Sequence, residues 1–188
     1  MIQLRPPAYV IPSDVIARAV DQIAREIARD HNNATEELHF IGVMDGAFTF
    51  LADLVRSAPV LDLFARDTGA ISISFLRASS YGSEIVSSGR PVLGANSIEN
   101  VRDKHVIVVD DVVDTGRTLQ TILNAVKELH PATVEAAVLL DKKARREVKV
   151  APRYIGMEIP NHFVAGYGMD YKGYLRDLPY IRSCEEYS

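Results

Sequence analysis

Apolar positions along the chain fall into short continuous runs that alternate with helical stripes. After Ser13, a residue type that caps helices, Val15, Ile16, Ala19, Val20, Ile23 and Ile27 recur at helical spacing, which predicts a first helix stopping near His31-Asn32-Asn33. Leu38 to Met44 reads as a buried strand, and Asp45-Gly46 turns it into a second helix carrying Phe48, Phe50, Leu51, Leu54 and Val55. Pro59 to Phe64 and Ala70 to Leu76 predict two more strands, the second alternating Ile71, Ile73 and Phe75 with Ser72 and Ser74. Val106 to Val109 is an apolar run bounded by charges, the pattern of a parallel strand buried on both faces. Leu119, Ile122, Leu123, Val126 and Leu129 then mark an amphipathic helix ending near His130-Pro131. Val134 to Leu140 predicts another buried strand, followed by the charged turn Asp141 to Arg146 and shorter strands at Tyr154 to Met157 and Phe163 to Gly166. This alternation predicts an α/β fold with an open, mostly parallel, Rossmann-like sheet flanked by helices. No repeat or linker divides the chain, so residues 1–188 are expected to form one domain.

Between Arg77 and Asn100 the pattern lapses. Ser79-Ser80-Tyr81-Gly82-Ser83, Ser87-Ser88-Gly89 and Gly94-Ala95-Asn96-Ser97 dominate, and the expectation is a long mobile excursion, functional or disordered.

Composition narrows the class. The formal net charge is −4 and no long run of like charges occurs, which argues against a global grip on nucleic acid or on an anionic membrane. The single cysteine, Cys184 in the polar C-terminal tail, excludes an intrachain disulfide and a paired-thiolate zinc site, and fits a reducing, cytoplasmic setting. The apolar runs fall well short of the ~20 residues a membrane helix needs, and the first residues lack a signal-peptide core. The five histidines form no i, i+2 or i, i+4 pair, so a metal here is expected to be a hard cation held by oxygen.

Ligands of open parallel sheets bind beyond the carboxyl ends of the strands. The residues after Val109 are therefore the informative ones: Asp110, Asp111, Val112, Val113, Asp114, Thr115, Gly116, Arg117 and Thr118, leading into a helix. Small and hydroxyl residues there present backbone N–H groups and the positive end of a helix to a phosphate. Neither a Walker A loop nor a dinucleotide Gly-x-Gly-x-x-Gly pattern occurs. An isolated Asp-Asp reads as a solvated acidic turn with an ordinary cap. Adjacent acids beside a phosphate cradle repel an anion unless hydroxyls or a cation lie between, and a sugar diphosphate carrying Mg²⁺ satisfies both.

The segment Val108 to Thr118 resembles the signature of the type I phosphoribosyltransferases, which bind PRPP, 5-phosphoribosyl-1-pyrophosphate. Leu139 to Lys142, Gly156 to Pro160, Phe163 to Tyr171 and Tyr174 to Leu178 narrow the resemblance to the bacterial hypoxanthine-guanine phosphoribosyltransferases, over about Ser13 to Tyr180. The resemblance implies that family's fold, with a small hood built from the termini. It implies that Asp110 and Asp111 hold the ribose hydroxyls and Mg²⁺, with Asp170 at a second Mg²⁺ or at the exocyclic edge of the base. Val113, Asp114, Thr115, Gly116, Arg117 and Thr118 would wrap the 5-phosphate, and Asp114 would exchange a proton at purine N7.

An exposed aspartate is a poor base near neutrality, so burial or neighbouring anions are expected around Asp114. Lys142 would donate to purine O6, Phe163 would stack on the base, the Val164 backbone would read its edge, and Arg176 would pair with pyrophosphate. Taken singly, these are a surface lysine, a core aromatic and a solvated arginine. Asp45 and Gly46 form the turn whose backbone amides would meet pyrophosphate, a turn that in this family often holds a cis peptide. Many relatives carry a basic residue where this chain has Asp45, so only the backbone role transfers. Ser80 and Tyr81 would belong to a flexible loop closing over the site and excluding water.

The implied activity is purine salvage: Mg²⁺-dependent phosphoribosyl transfer from PRPP to hypoxanthine or guanine. The implied partners are these small molecules, with no nucleic acid and no membrane, in a homodimer or homotetramer. A rival is a regulatory module on the same fold that binds RNA, as pyrimidine-operon attenuators do. Asp114 and the absence of a dense Lys/Arg stripe speak against it.

Overall fold

A computed structural model describes residues 4–32, 37–63, 71–77 and 101–185. The apolar run at 106–109 becomes the middle of β4 (His105–Val113), whose residues 106–110 are all buried. β4 lies at the centre of a five-stranded sheet with β2 (Leu38–Met44), β3 (Ile71–Arg77), β5 (Thr133–Asp141) and β6 (Tyr154–Glu158). The order is β3-β2-β4-β5-β6 and every pairing is parallel, as the continuous apolar runs predict.

Helices cover both faces. α1 (Ser13–Asp30) buries Ile16, Ala19, Val20, Ile23, Ala24 and Ile27, the predicted stripe, in the core on one side. α2 (Phe48–Val55) adds Phe50, Leu51 and Leu54 to the same core. On the other side α4 (Arg117–Lys127) packs Leu119, Ile122 and Val126 against Val106 and Val108. Full burial of such aliphatic side chains stabilises by roughly 1.5–3 kcal/mol each.

Three expectations change. Residues 58–62 form a short helix, α3 (Ala58–Asp62), rather than the strand predicted at 59–64; Phe64 lies outside the described residues. Ser57 has the extended backbone of an N-cap, and Pro59 occupies the first helical turn, where its missing N–H leaves no bond unmade. Ser13 is the first helical residue rather than the cap. The cap position is Pro12, whose carbonyl accepts the Val15 and Ile16 N–H groups. Cys184 is buried rather than lying in a solvated tail, because its N–H donates to the Phe163 carbonyl at 2.8 Å.

In β3 the serines face inward while Ile73 and Phe75 are 44% and 54% exposed. Buried His39 on the neighbouring strand explains the inversion. Its Nδ1 and Nε2 meet Ser72 Oγ at 2.6 Å and Ser74 Oγ at 2.9 Å, so the polar side of β3 is the one with partners inside.

A second sheet brings together residues from both ends of the chain. β1 (Val10–Ile11), β8 (Ile181–Ser183) and β7 (Val164–Ala165) pair antiparallel in the order β1-β8-β7, forming the expected hood. The expected excursion, including Ser80 and Tyr81, lies outside the described residues apart from Arg77 at its start. Among the described residues no helix is long and apolar enough to cross a membrane.

Candidate active site

The carboxyl ends of β2, β4 and β5 meet the hood loop around a cavity of about 430 Å³. Its wall includes Asp45, Gly46, Asp110, Asp111, Val113, Asp114, Thr115, Gly116, Thr118, Lys142, Phe163, Val164, Asp170 and Arg176, so most of the candidate residues converge. Val43, Met44, Val112, Leu119 and Met169 add an apolar lining that had no local signal of function.

Because β4 is buried on both faces, Asp110, three residues before its end, remains only 7% exposed. Burial, then repulsion from Asp111, pushes the Asp110 carboxyl well above the ordinary range; burial also raises Asp111. The backbone allows the pair to be reached closely. Gly46 lies against Asp111, and a Cβ on Gly46 would collide with that carboxylate. The Met44–Asp45 peptide leading into this turn is cis, as the family resemblance implies.

After Asp114 the chain turns through Gly116 at φ +84°, and an added Cβ would stand 2.5 Å from Val150 Cγ1. Only glycine meets both conditions without strain. Helix α4 starts at the next residue, so the loop 114–118 directs the helix N-terminus at the cavity. The Glu147 N–H donates to the Thr115 carbonyl at 3.0 Å, tying this loop to the segment after β5. The Arg117 side chain reaches Glu147 at 2.8 Å and takes no part in the cavity wall, leaving its backbone as its available contribution.

Asp114 does not have the buried or anionic surroundings expected of it. Its side chain is 39% exposed and lies between two cations, with Arg145 Nε at 2.8 Å and Lys142 Nζ at 3.5 Å. Arg145 is a site-adjacent residue that the sequence reading missed; its only signal was the density of cations in the turn after Asp141. Arg146 ion-pairs with buried Asp141 and reaches the Asp114 carbonyl at 3.5 Å, anchoring the same turn.

Lys142 is 6% exposed, and its backbone N–H donates to the Val113 carbonyl at 3.0 Å. It is therefore a buried cation at the end of β5, set beside the end of β4, rather than a surface lysine. Phe163 is 54% exposed and meets Tyr171 edge to face with ring centroids 5.4 Å apart, leaving an aromatic surface at the cavity. Arg176 donates to Asp170 at 2.7 Å and to the Gly168 carbonyl at 2.7 Å, while Asp170 also accepts the Gly173 N–H at 2.8 Å. These bonds order the hood loop.

Among the described residues no three His, Cys, Asp or Glu side chains converge as a ready-made metal cage. The adjacent carboxyls of Asp110 and Asp111 suit a cation such as Mg²⁺, which characteristically takes one or two carboxylates together with substrate oxygens and water. The site can thus offer hydroxyl acceptors, a phosphate cradle, a buried ammonium donor, an aromatic face and a guanidinium around one volume.

Comparison with known proteins bears on the family and the fold. The family model described as phosphoribosyl transferase domain matches residues 13–172. Hypoxanthine phosphoribosyltransferase of Escherichia coli strain K12 is 33% identical over 172 residues, 92% of each chain. Hypoxanthine-guanine phosphoribosyltransferase of Canis lupus familiaris is 32% identical over 91% of this chain and 78% of that one. The crystal structure of a hypoxanthine-guanine phosphoribosyltransferase from Bacillus anthracis superposes with a TM-score of 0.79 at 32% identity, covering 96% of this chain and 99% of that one. With its sequence and its fold both matched over most of its length, the chain belongs to the phosphoribosyl transferase family.

Proposed function

We propose that this enzyme transfers the 5-phosphoribosyl group of PRPP to N9 of hypoxanthine or guanine, giving IMP or GMP and pyrophosphate. The observation that carries the reading is the meeting of Asp110, Asp111, the loop 114–118 and buried Lys142 around one cavity. Carboxylates suited to ribose hydroxyls, amides suited to a phosphate and a donor suited to a base carbonyl are each matched to one part of the two substrates.

In the reaction, purine N9 forms a bond to ribose C1 as the C1–O bond to pyrophosphate breaks and pyrophosphate leaves with the electron pair. The proton at purine N7 passes to the Asp114 carboxylate. Asp110 and Asp111 accept hydrogen bonds from the ribose hydroxyls, the amides of 114–118 hold the 5-phosphate, and Arg176 faces the anionic leaving group. Lys142 donates to O6, Phe163 covers one face of the base, and the Val164 backbone meets its edge. Asp110 and Asp111, with Asp170 from the hood loop, would hold Mg²⁺, which when bound neutralises charge on the diphosphate. Catalysis on this plan is chiefly placement and charge stabilisation around a developing ribosyl cation. A cytoplasmic homodimer or homotetramer is the setting proposed by the family resemblance.

The test is kcat/KM for hypoxanthine, guanine, xanthine and adenine with PRPP, using wild type and Lys142→Ala. Adenine presents an amino donor where the 6-oxopurines present a carbonyl, and donor facing the buried ammonium gives no hydrogen bond where the 6-oxopurines would make one. Sites built on such hydrogen bonds discriminate by roughly 10⁴-fold or more. Hypoxanthine and guanine are expected well above xanthine, with adenine negligible and guanine activity sharply reduced in Lys142→Ala. Equal adenine and guanine activity, or unaltered guanine activity in the variant, would overturn the reading.

A further inference from the structure

Asp114 is held from two sides, and only one of its two cations belongs to the cavity. Lys142 is part of the cavity wall, with its Nζ 3.5 Å from Asp114 Oδ2. Arg145 takes no part in that wall, yet its Nε donates to Asp114 Oδ1 at 2.8 Å. Arg145 thus reaches the carboxylate from behind, through the other oxygen. The backbone builds this approach. Arg145 closes a 3₁₀ turn (Lys143–Arg145) that follows Lys142 directly, and its N–H donates to the Lys142 carbonyl at 2.9 Å. Other bonds fasten the turn in place. The Glu147 N–H donates to the Thr115 carbonyl at 3.0 Å, and Arg146 reaches both the Asp114 carbonyl and buried Asp141. None of these passes through the Arg145 side chain.

The side chains of Arg145 and Asp114 are 46% and 39% exposed, and ion pairs as open as this contribute little to stability. What such a pair supplies is orientation. A general base must lie within hydrogen-bond reach of the proton it takes, and a misplacement of about 1 Å can cost about 10²-fold in rate. The proposed reaction gives the Lys142 ammonium a second acceptor, purine O6, so Lys142 is the less constant of the two partners. We infer that Arg145 is a positioning residue for Asp114: it holds one carboxylate oxygen while the other is left to meet purine N7 and Lys142 serves the base. This inference rests on the reading that the cavity transfers a phosphoribosyl group with Asp114 as the base. Arg145 touches neither substrate on this plan. Its loss misplaces the proton acceptor and leaves the amides of 114–118 and the Lys142 donor as they are.

The experiment is a double-mutant cycle on wild type, Arg145→Ala, Asp114→Asn and the double variant, each shown to be folded by circular dichroism melting. The single-turnover rate of GMP formation, KM for guanine and PRPP affinity by titration are measured for each. Arg145→Ala is expected to lower the single-turnover rate about tenfold or more, with KM for guanine and PRPP affinity within about twofold of wild type. In the Asp114→Asn background the same substitution is expected to change the rate by less than about twofold, because no base remains to be positioned. Lys143→Ala removes a neighbouring cation, paired with Glu158 at 2.7 Å, and controls for the charge of the turn. It is expected to match wild type. An unaltered rate in Arg145→Ala, an equal loss in the Asp114→Asn background, or an equal loss in Lys143→Ala would overturn the role of Arg145 alone. A wild type that makes no nucleotide from PRPP and guanine would instead overturn the functional reading.

Discussion

Asp114 shows how a side chain's neighbours define the chemistry asked of it. Sequence placed it at the mouth of a phosphate loop; the structure adds Arg145 and Lys142, which hold the carboxylate by its two oxygens. In the proposed mechanism the proton that Asp114 would accept from the purine is transferred only along the reaction path, whereas the loop amides would bind phosphate whether or not the side chain is charged. Asp114→Asn keeps the shape and removes the proposed base. It is expected to lower kcat by about 10²- to 10⁴-fold while PRPP affinity changes little, the signature of a group acting in the transition state. Steady-state kinetics beside PRPP titration check this, and a kcat within threefold of wild type would move the proton transfer elsewhere. Lys142 and Arg145 also mark what a sequence hides. The order of motifs made Lys142 a candidate, but its burial, and the return of Arg145 onto Asp114 from 31 positions away, exist only once β5 lies beside β4.

At the scale of elements, long patterned segments were legible and short ones were not. The helix at 13–30 and the buried strands β2, β4 and β5 carry enough consecutive residues for the period to identify them. α3 spans five residues, over which an apolar run fits strand and helix equally, and the place of Pro59 decides. The strands of the hood are two or three residues long, defined by pairing rather than by pattern.

The C-terminal end of α1 supplies a prediction at the same scale. The backbone N–H of His31 bonds Ile27, while its ring meets His105 edge to face at 5.1 Å and lies 3.9 Å from Glu135. Burial, then the neighbouring His105, lowers the His31 pKa; Glu135 and Asp30 pull the other way, and Arg153 sides with burial. The unfolded chain therefore takes up this proton first on acidification. The contribution of His31 to stability is whole above the unfolded value, about pH 6.5, and is lost as the pH falls from there through the lower folded value. Urea unfolding of wild type and His31→Gln across this range is expected to show the wild type losing stability faster on acidification. A wild type that gains on the variant in acid would mean that Glu135 and Asp30 prevail over burial.

At the scale of the whole molecule two sheets meet at the cavity, and one buried hydroxyl adds to the strand pairings that hold the hood together. Ser183 Oγ, in a side chain 1% exposed, accepts the Ala8 N–H at 2.7 Å and the Tyr9 N–H at 3.3 Å, across 175 and 174 residues of sequence. Its strand, β8, lies between β1 and β7, and the next residue binds the Phe163 carbonyl. The hydroxyl thus secures the element that carries Phe163 and Val164, the proposed contacts to the base. The loop 114–118, by contrast, hangs on β4 and α4 in the main sheet. Ser183→Ala removes the acceptor and leaves two backbone donors without it, a change that typically costs about 1–3 kcal/mol when the donors stay dry. The variant is expected to unfold at lower denaturant by that amount and to show a raised KM for guanine with a smaller change in PRPP affinity, because the proposed base contacts Phe163 and Val164 adjoin the hood while most of the proposed PRPP contacts, Asp110, Asp111 and the loop 114–118, belong to the main sheet. Denaturant unfolding, guanine kinetics and PRPP titration on the same preparation decide it. Equal weakening toward both substrates would mean that hood and main sheet respond to the lost bonds as one unit.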